Sequence, residues 1–324
     1  MQSWVINNSR KLTLISEDST EFDTKTQAKV KISRACINKS DIASFQDKYN
    51  NLPIVPSRSA LGFISESTDP AYQKGQRVYL SPYISSEDNK TYIKGKNFDG
   101  YLSDFSIVPF DNIFSIPEMI PDEDFTFIED IAMALKICEL LNIKETRYVL
   151  LQGATTLNII LGQFALYYQA IPIIVDSDEN ALSKAEEKGI YYTINSKKDN
   201  VYDRVLEITA GALANYIVVD VDTFPEIEYD LLKFAAVDAK IALAGFNTST
   251  EKSKIDISYV VEKRLTIYGI NDGIGQIATA INMLATDVIN VDGLVEKVYN
   301  FDEAEKAFID LEANTHRFKT LIHC

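Results

Sequence analysis

From residue 147 onward, short apolar runs alternate with segments of helical spacing. RYVLLQG (147–153), IPIIVD (171–176), YYTINS (191–196), NYIVVDVD (215–222), KIALAGF (240–246) and LTIYGI (265–270) read as strands. Between them lie TLNIILGQFALYY, ENALSKAEEKG and YDLLKFAAV, read as helical, with GQIATAINMLATDVI following the last strand. Nearly continuous apolar strands separated by helices predict a parallel sheet covered on both faces, an α/β arrangement. The final glycine of ENALSKAEEKG suits a helix C-cap. FTFIEDIAMALKICELL, just upstream, has the apolar spacing of a helix.

The stretch LLQGATTLNIILGQF (150–164) places a turn between a buried strand and a helix. A helix N-terminus offers free N–H groups and a positive dipole end to an anion. Asp176 ends the next strand, where an acidic side chain can hold a ribose hydroxyl pair and favour NAD over its 2′-phosphorylated form. Of the three glycines usual in such a loop only Gly153 is present, with Thr155 and Asn158 at the other two positions. The second glycine admits close backbone approach to a pyrophosphate, and the third admits close helix–strand packing. The loop is thus a site for a weakly bound dinucleotide or a plain strand–helix turn.

Residues before about 115 differ in style. KVKISRAC (29–36), QRVYLSPY (76–83) and SDFSIVPFDNIFSIP (103–117) are short β-rich runs separated by turn-forming residues. The tail FDEAEKAFIDLEANTHRFKTLIHC predicts a helix and a short strand. The net charge of −15 argues against a nucleic-acid partner. No apolar run approaches the ~20 residues of a membrane span, and MQSWVINNSRK turns polar too early for a signal peptide. Cys36, Cys138 and Cys324 form no paired pattern. A cytoplasmic protein is expected. With only two histidines, His316 and His323, metal and nucleophile chemistry is restricted.

Several motifs in order resemble the medium-chain dehydrogenase/reductase superfamily, the zinc-type alcohol dehydrogenases and their zinc-free quinone reductase relatives. RACINKSD (34–41) resembles A-C-G-[IV]-C-G-[ST]-D, and VPSRSALGFI (55–64) resembles P-G-H-E-x-x-G-x-V. KGQRVYLSPY (74–83) is similar to the G-D-R-V strand, NFDGYLSDFSIVP to D-G-G-x-A-E-Y-x-x-V-P, and IEDIAMAL (128–135) to E-P-L-x-V-A-L. The resemblance implies a GroES-like β-rich domain over 1–120, completed by the tail 291–324, and a Rossmann doubly wound parallel sheet over 121–290. It also implies a homodimer paired through LTIYGINDG (265–273). The substrate pocket would be formed by loops such as 42–60 and 83–100.

The departures from the family pattern bear on mechanism. Asn38 stands where zinc members have a cysteine, Arg58 where they have the histidine of G-H-E, and Ser59 where they have its glutamate; Glu129 alone remains. Catalytic zinc takes three thiolate, imidazole or carboxylate ligands, so no metal is expected there. The structural zinc lobe is not expected either, since 83–100 holds no cysteine. ACINKSD also fits A-x-x-V-N-x-x-D of the zinc-free quinone reductases. By the same resemblance Lys39 and Lys319 reach the cofactor pyrophosphate and Ser40 is the proton-relay hydroxyl; otherwise both are surface lysines and Ser40 a cap or turn residue. Arg58 and Glu129 map to the vacated metal cavity and could pair there. The alternative is a helix-capping Glu129 and a solvent-facing Arg58.

Two functions follow. One is a zinc-independent NAD(P)-linked oxidoreductase moving a hydride to or from a small carbonyl, quinone or alcohol, with Asn38, Ser40, Arg58 and Glu129 as catalytic candidates. Its cofactor-binding candidates are Lys39, Gly153, Thr155, Asn158, Asp176 and Lys319. The other is a degenerate, non-catalytic family member acting as a dimeric binding or scaffold protein.

Overall fold

The structure is a computed structural model that describes residues 1–17, 21–46, 51–85, 91–221, 231–245, 256–313 and 317–324. Parts of four predicted segments lie outside these residues: Asp222 of NYIVVDVD, Phe246 of KIALAGF, Tyr229 and Asp230 of YDLLKFAAV, and 314–316 of the tail. So do 47–50 and 86–90 of the expected pocket loops. The chain divides into two compact units. One comprises Met1–Ile128, Ile281–Thr286 and Asp292–Cys324; the other comprises Glu129–Ala280 and Asp287–Val291. Among the described residues no helix is long and apolar enough to cross a membrane.

In the second unit the apolar runs form six strands: β1 (Tyr148–Gln152), β2 (Ile171–Asp176), β3 (Tyr192–Asn195), β4 (Ala214–Asp220), β5 (Ala235–Ala244) and β6 (Thr266–Ile270). They lie in the order β3-β2-β1-β4-β5-β6, and every pairing is parallel. Leu150, Ile173, Val175, Ile194, Ile217, Val219 and Ile241 are buried in one continuous core, as strands covered on both faces require. The order reverses between β1 and β4, so the carboxyl ends of these strands flank the crevice where such sheets bind ligands.

The connecting helices begin at residues suited to capping. Asp178 accepts the N–H groups of Asn180 and Ala181 at the start of Glu179–Glu187, and Asn200 accepts those of Tyr202 and Asp203 at the start of Val201–Ile208. Glu179–Glu187 ends as its sequence predicts. Gly189 has φ +84°, its N–H bonds to Glu186 O, and the N–H of Ile190 bonds to Ala185 O, a Schellman closure. YDLLKFAAV is corrected: Leu231–Phe234 is a single 3-10 turn, and Ala235 already belongs to β5, opposite Ala214.

Helix Thr156–Tyr167 is mostly apolar and largely buried. It makes its close approach at Gly162, where an added Cβ would lie 2.3 Å from Ile190 Cδ1 and 3.5 Å from Leu151 Cδ1. The small residue that lets this helix pack is therefore one turn beyond the position where Asn158 replaces a glycine.

The first unit is a β-rich body around a seven-stranded sheet. Its long strand Gln27–Ile37 pairs antiparallel with Ala60–Glu66 and with Phe105–Pro109. The final strand Lys319–His323 pairs antiparallel with Gln27–Ile37 on another register, placing Leu321 opposite Cys36, and runs parallel to Val295–Asn300. The C-terminal tail thus extends the N-terminal sheet. Ala35, Ile37, Leu102, Phe308 and Ile322 are buried together.

The Gly162 contact has a measurable consequence. Alanine there adds about 1 kcal/mol of helix propensity but overpacks Ile190, which costs about 1–3 kcal/mol. Chemical denaturation should find Gly162→Ala destabilised, and a double-mutant cycle with Ile190→Val should return a favourable coupling, because the valine lacks the clashing Cδ1. Strict additivity would contradict the packing described.

Candidate functional site

In the second unit, β1 delivers the chain into a turn that glycine alone accommodates easily: Gly153 has φ +93°. Its N–H bonds to Val175 O at 2.8 Å, on the neighbouring strand. The next N–H, of Ala154, donates to Asp176 Oδ2 at 2.7 Å, while Asp176 Oδ1 accepts the N–H of Asp178 at 2.8 Å. Asp176 is almost wholly buried. The sequence suggested this acid as a grip for a ribose; here its carboxylate ties the turn after β1 to the turn after β2.

Thr155, in a position where the three-glycine loop has its second glycine, has a structural role. It is the N-cap of helix Thr156–Tyr167, extended at φ −89° and ψ 165°, and its Oγ1 accepts the N–H of Asn158 at 3.3 Å. Asn158 is fully buried. Its Nδ2 donates to Gln152 O at 2.8 Å and Gly153 O at 3.0 Å, satisfying two carbonyls at the end of β1. The two departures from the three-glycine pattern are thus a cap and a clamp. Thr156 and Leu157 are also buried, and their backbone N–H groups, at the first two positions of the helix, meet no acceptor among the described residues. A helix start of this kind is a ready anion site.

In the first unit, Asn38, Lys39, Ser40 and Arg58 gather around Asp41, whose importance the sequence reading missed. Asp41 is buried. Its Oδ2 accepts the N–H of Asn38 at 2.8 Å, and its Oδ1 accepts the N–H of Ser57 at 2.7 Å. One carboxylate therefore closes helix Lys39–Phe45 as a capping box and holds the loop that carries Arg58. The helix N-cap is Asn38, not Ser40. Asn38 is committed locally, its Nδ2 donating to Cys36 O at 3.3 Å. Cys36 Sγ in turn accepts from Thr126 Oγ1 at 2.8 Å. Arg58 does not face solvent; it is 8% exposed, and its Nη1 donates to Ser40 Oγ at 3.4 Å. Ser57, at the glycine position of P-G-H-E, holds φ +72° and donates its hydroxyl to Ser59 O at 3.1 Å.

Lys39 is exposed at the first helical residue, whereas Lys319 is buried at the start of the last strand, so only the first is a surface lysine. Glu129 is buried in the first turn of helix Ile128–Leu141. It belongs to the second unit and Arg58 to the first. Burial pushes the thiols of Cys138 and Cys324 up to about 12, so neither is a thiolate nucleophile at neutral pH. Among the described residues no group of three or more His, Cys, Asp or Glu side chains could hold a metal ion.

Comparison with known proteins accounts for both units. Residues 24–118 match the family model of the alcohol dehydrogenase GroES-like domain, and residues 157–286 match that of the zinc-binding dehydrogenases. The chain belongs to the medium-chain dehydrogenase/reductase superfamily. Within it, the chain is 25% identical over 256 residues to a zinc-type alcohol dehydrogenase-like protein of Haemophilus influenzae, covering 75% of this chain and 74% of that protein. It is 23% identical over 325 residues to the starvation-sensing protein RspB of Escherichia coli K12, covering 95% and 94%. Among solved structures, the rspB alcohol dehydrogenase of Escherichia coli CFT073, in complex with cofactor NADH, superposes with a TM-score of 0.89 at 24% identity, covering 100% of this chain and 99% of that one. The chain is thus an alcohol dehydrogenase-like member of an oxidoreductase superfamily, with a GroES-like and a Rossmann part.

The cap and the clamp respond differently to restored glycines. Thr155→Gly should cost only a few tenths of a kcal/mol, because glycine is tolerated at an N-cap. Asn158→Gly should cost about 2 kcal/mol or more, since it strips donors from a buried and a part-buried carbonyl and puts glycine inside a helix. Urea denaturation of the two variants checks the order; equal effects would contradict it.

Proposed function

We propose that the chain is a zinc-independent, NAD-linked oxidoreductase acting on a small carbonyl, quinone or alcohol. The observation that carries this reading is the turn at Gly153. It presents the N–H groups of Thr156 and Leu157, which meet no acceptor among the described residues, at the carboxyl end of β1, beside the reversal of strand order. These donors fit a pyrophosphate. The charge of Asp176 at the end of β2 disfavours a 2′-phosphate, so NAD is preferred over NADP. Thr155 keeps a branched side chain where a glycine would admit the closest backbone approach, and binding is correspondingly weak. NADH in the related rspB structure supports the assignment of cofactor class.

Zinc does not fit the residues at the family's ligand positions. Asn38 offers an amide already donating to Cys36 O, Arg58 is a permanent cation, and Ser59 brings a hydroxyl. None of these is the thiolate, imidazole or carboxylate that zinc takes, and no step is assigned to it. Bound NAD(H) supplies the hydride donor or acceptor. The chain's own contribution is to bind, orient and stabilise charge. Ser40 and Arg58, joined by their hydrogen bond, are donors suited to an oxygen that gains negative charge in carbonyl reduction. Asp41 is a positioning residue for both, through the helix start and the Ser57 N–H. This chemistry suits polarised acceptors such as quinones and enones better than simple alcohols, whose oxidation also needs a proton removed. β6 is the last strand of its sheet, in keeping with a homodimer formed along that edge.

A second reading has one observation in its favour: the Asp176 carboxylate already accepts two backbone N–H groups. On that reading the loop is a structural turn and the protein a non-catalytic dimeric binder or scaffold. Calorimetric titration with NADH and NADPH separates the two. The oxidoreductase reading expects NADH to bind in preference to NADPH, and Thr155→Gly to tighten NADH by about tenfold, ~1.4 kcal/mol. Binding of neither cofactor, by the native protein or by Thr155→Gly, would leave the non-catalytic reading.

A further inference from the structure

The first unit contains a cavity of about 410 Å³ that the proposed chemistry does not use. Its apolar wall includes Val5, Ile15, Ile54 and Phe105, and its polar lining includes Lys94, Ser3 and Ser106. The rim is built from main chain. Gly100 N–H bonds to Val55 O at 2.7 Å, and Val55 N–H bonds to Asp99 Oδ1 at 2.9 Å. A Cβ on Gly100 would lie 2.1 Å from Ser57 O, so only glycine permits this approach. On the opposite side, Trp4 N–H bonds to Leu102 O and Asp104 N–H to Gln2 O, fixing the N-terminal strand beside Ser103. The cavity is therefore preformed.

Lys94 is the informative side chain. Its Nζ lies 5.6 Å from the centre of the Tyr101 ring, but among the described residues it makes no ion pair and no hydrogen bond. The hydroxyls of Ser3 and Ser106 likewise bond to none of the described residues. Lys94 and Ser3 are thus lining residues of one cavity whose side-chain donors bond to none of the described residues. The carboxylates that also line it, Asp99 and Glu17, are exposed. Burial pushes the Lys94 ammonium below the usual lysine range, and the charge of Asp99 opposes this only in part. A ligand carboxylate would relieve that penalty.

We propose that this cavity is a second small-molecule site taking a monocarboxylate with a short apolar tail, its carboxylate on Lys94 and the Ser3 hydroxyl, its tail against Val5, Ile15 and Phe105. The acidic rim selects against dianions, and the apolar wall selects against inorganic anions.

The test uses the full chain and sodium hexanoate as probe. Lysines are labelled with limiting acetic anhydride and quantified residue by residue by peptide mass spectrometry, with hexanoate, hexyltrimethylammonium or inorganic phosphate present. The site predicts that hexanoate slows acetylation of Lys94 by about tenfold, the effect of a one-unit rise in its pKa on the free-amine fraction. Other lysines should be unaffected, and hexyltrimethylammonium and phosphate should not protect Lys94. Heat of hexanoate binding should vanish in Lys94→Met, with labelling of the native chain standing as an independent readout should that variant fold poorly. Unchanged acetylation of Lys94 in hexanoate would overturn the proposal, as would equal protection by hexyltrimethylammonium or by phosphate.

Discussion

The carboxylate of Asp176 is the contact on which the second unit's site depends. It ends β2, yet it takes the N–H of Ala154 in the turn after β1. Gly153 needs a positive φ to leave the strand, and its own N–H is held by Val175. The turn is thus anchored twice to the neighbouring strand, and helix Thr156–Tyr167 starts from a fixed point. A buried charge is tolerated here because it accepts backbone N–H groups. If the turn relaxed, the helix start would lose its orientation toward an anion, whatever side chains lined it.

The first unit repeats this logic with Asp41. One buried carboxylate closes a helix start and holds the backbone at Ser57, placing Arg58 and Ser40 in hydrogen-bond reach. At the positions that correspond by resemblance to the family's zinc ligands stand an amide, a guanidinium and a hydroxyl, those of Asn38, Arg58 and Ser59. Ser57 at φ +72° occupies a conformation that favours glycine, offset in part by its bond to Ser59 O. Such a frame can orient donors toward a carbonyl oxygen without a Lewis acid.

The parallel sheet was legible because Val, Ile and Leu fill each strand almost without interruption, and because Gly189 marks a helix end by known chemistry. YDLLKFAAV was misread because Leu231, Leu232 and Phe234 fit a helical face as well as a turn entering a strand; only pairing of Ala235 with Ala214 decides between them. In the loop, replacing glycine reads as a loss when each position is taken alone. That Thr155 caps, that Asn158 clamps two carbonyls and that Gly162 supplies the close approach are cooperative facts of one turn of helix. Asp41 closes the sequence motif ACINKSD, but its partner Ser57 lies sixteen residues away, a separation that no local pattern encodes. Whether Lys39 or Lys319 is solvated is likewise set by the strand that buries Lys319.

The central claim is that the start of helix Thr156–Tyr167 binds the pyrophosphate of NADH. Amide hydrogen exchange, resolved to single residues and followed with and without NADH, tests it most directly. The account predicts that protection gained on adding NADH includes the N–H groups of Thr156 and Leu157, helix-start donors with no acceptor among the described residues. Saturation with NADH that left the exchange of both amides unchanged would contradict it.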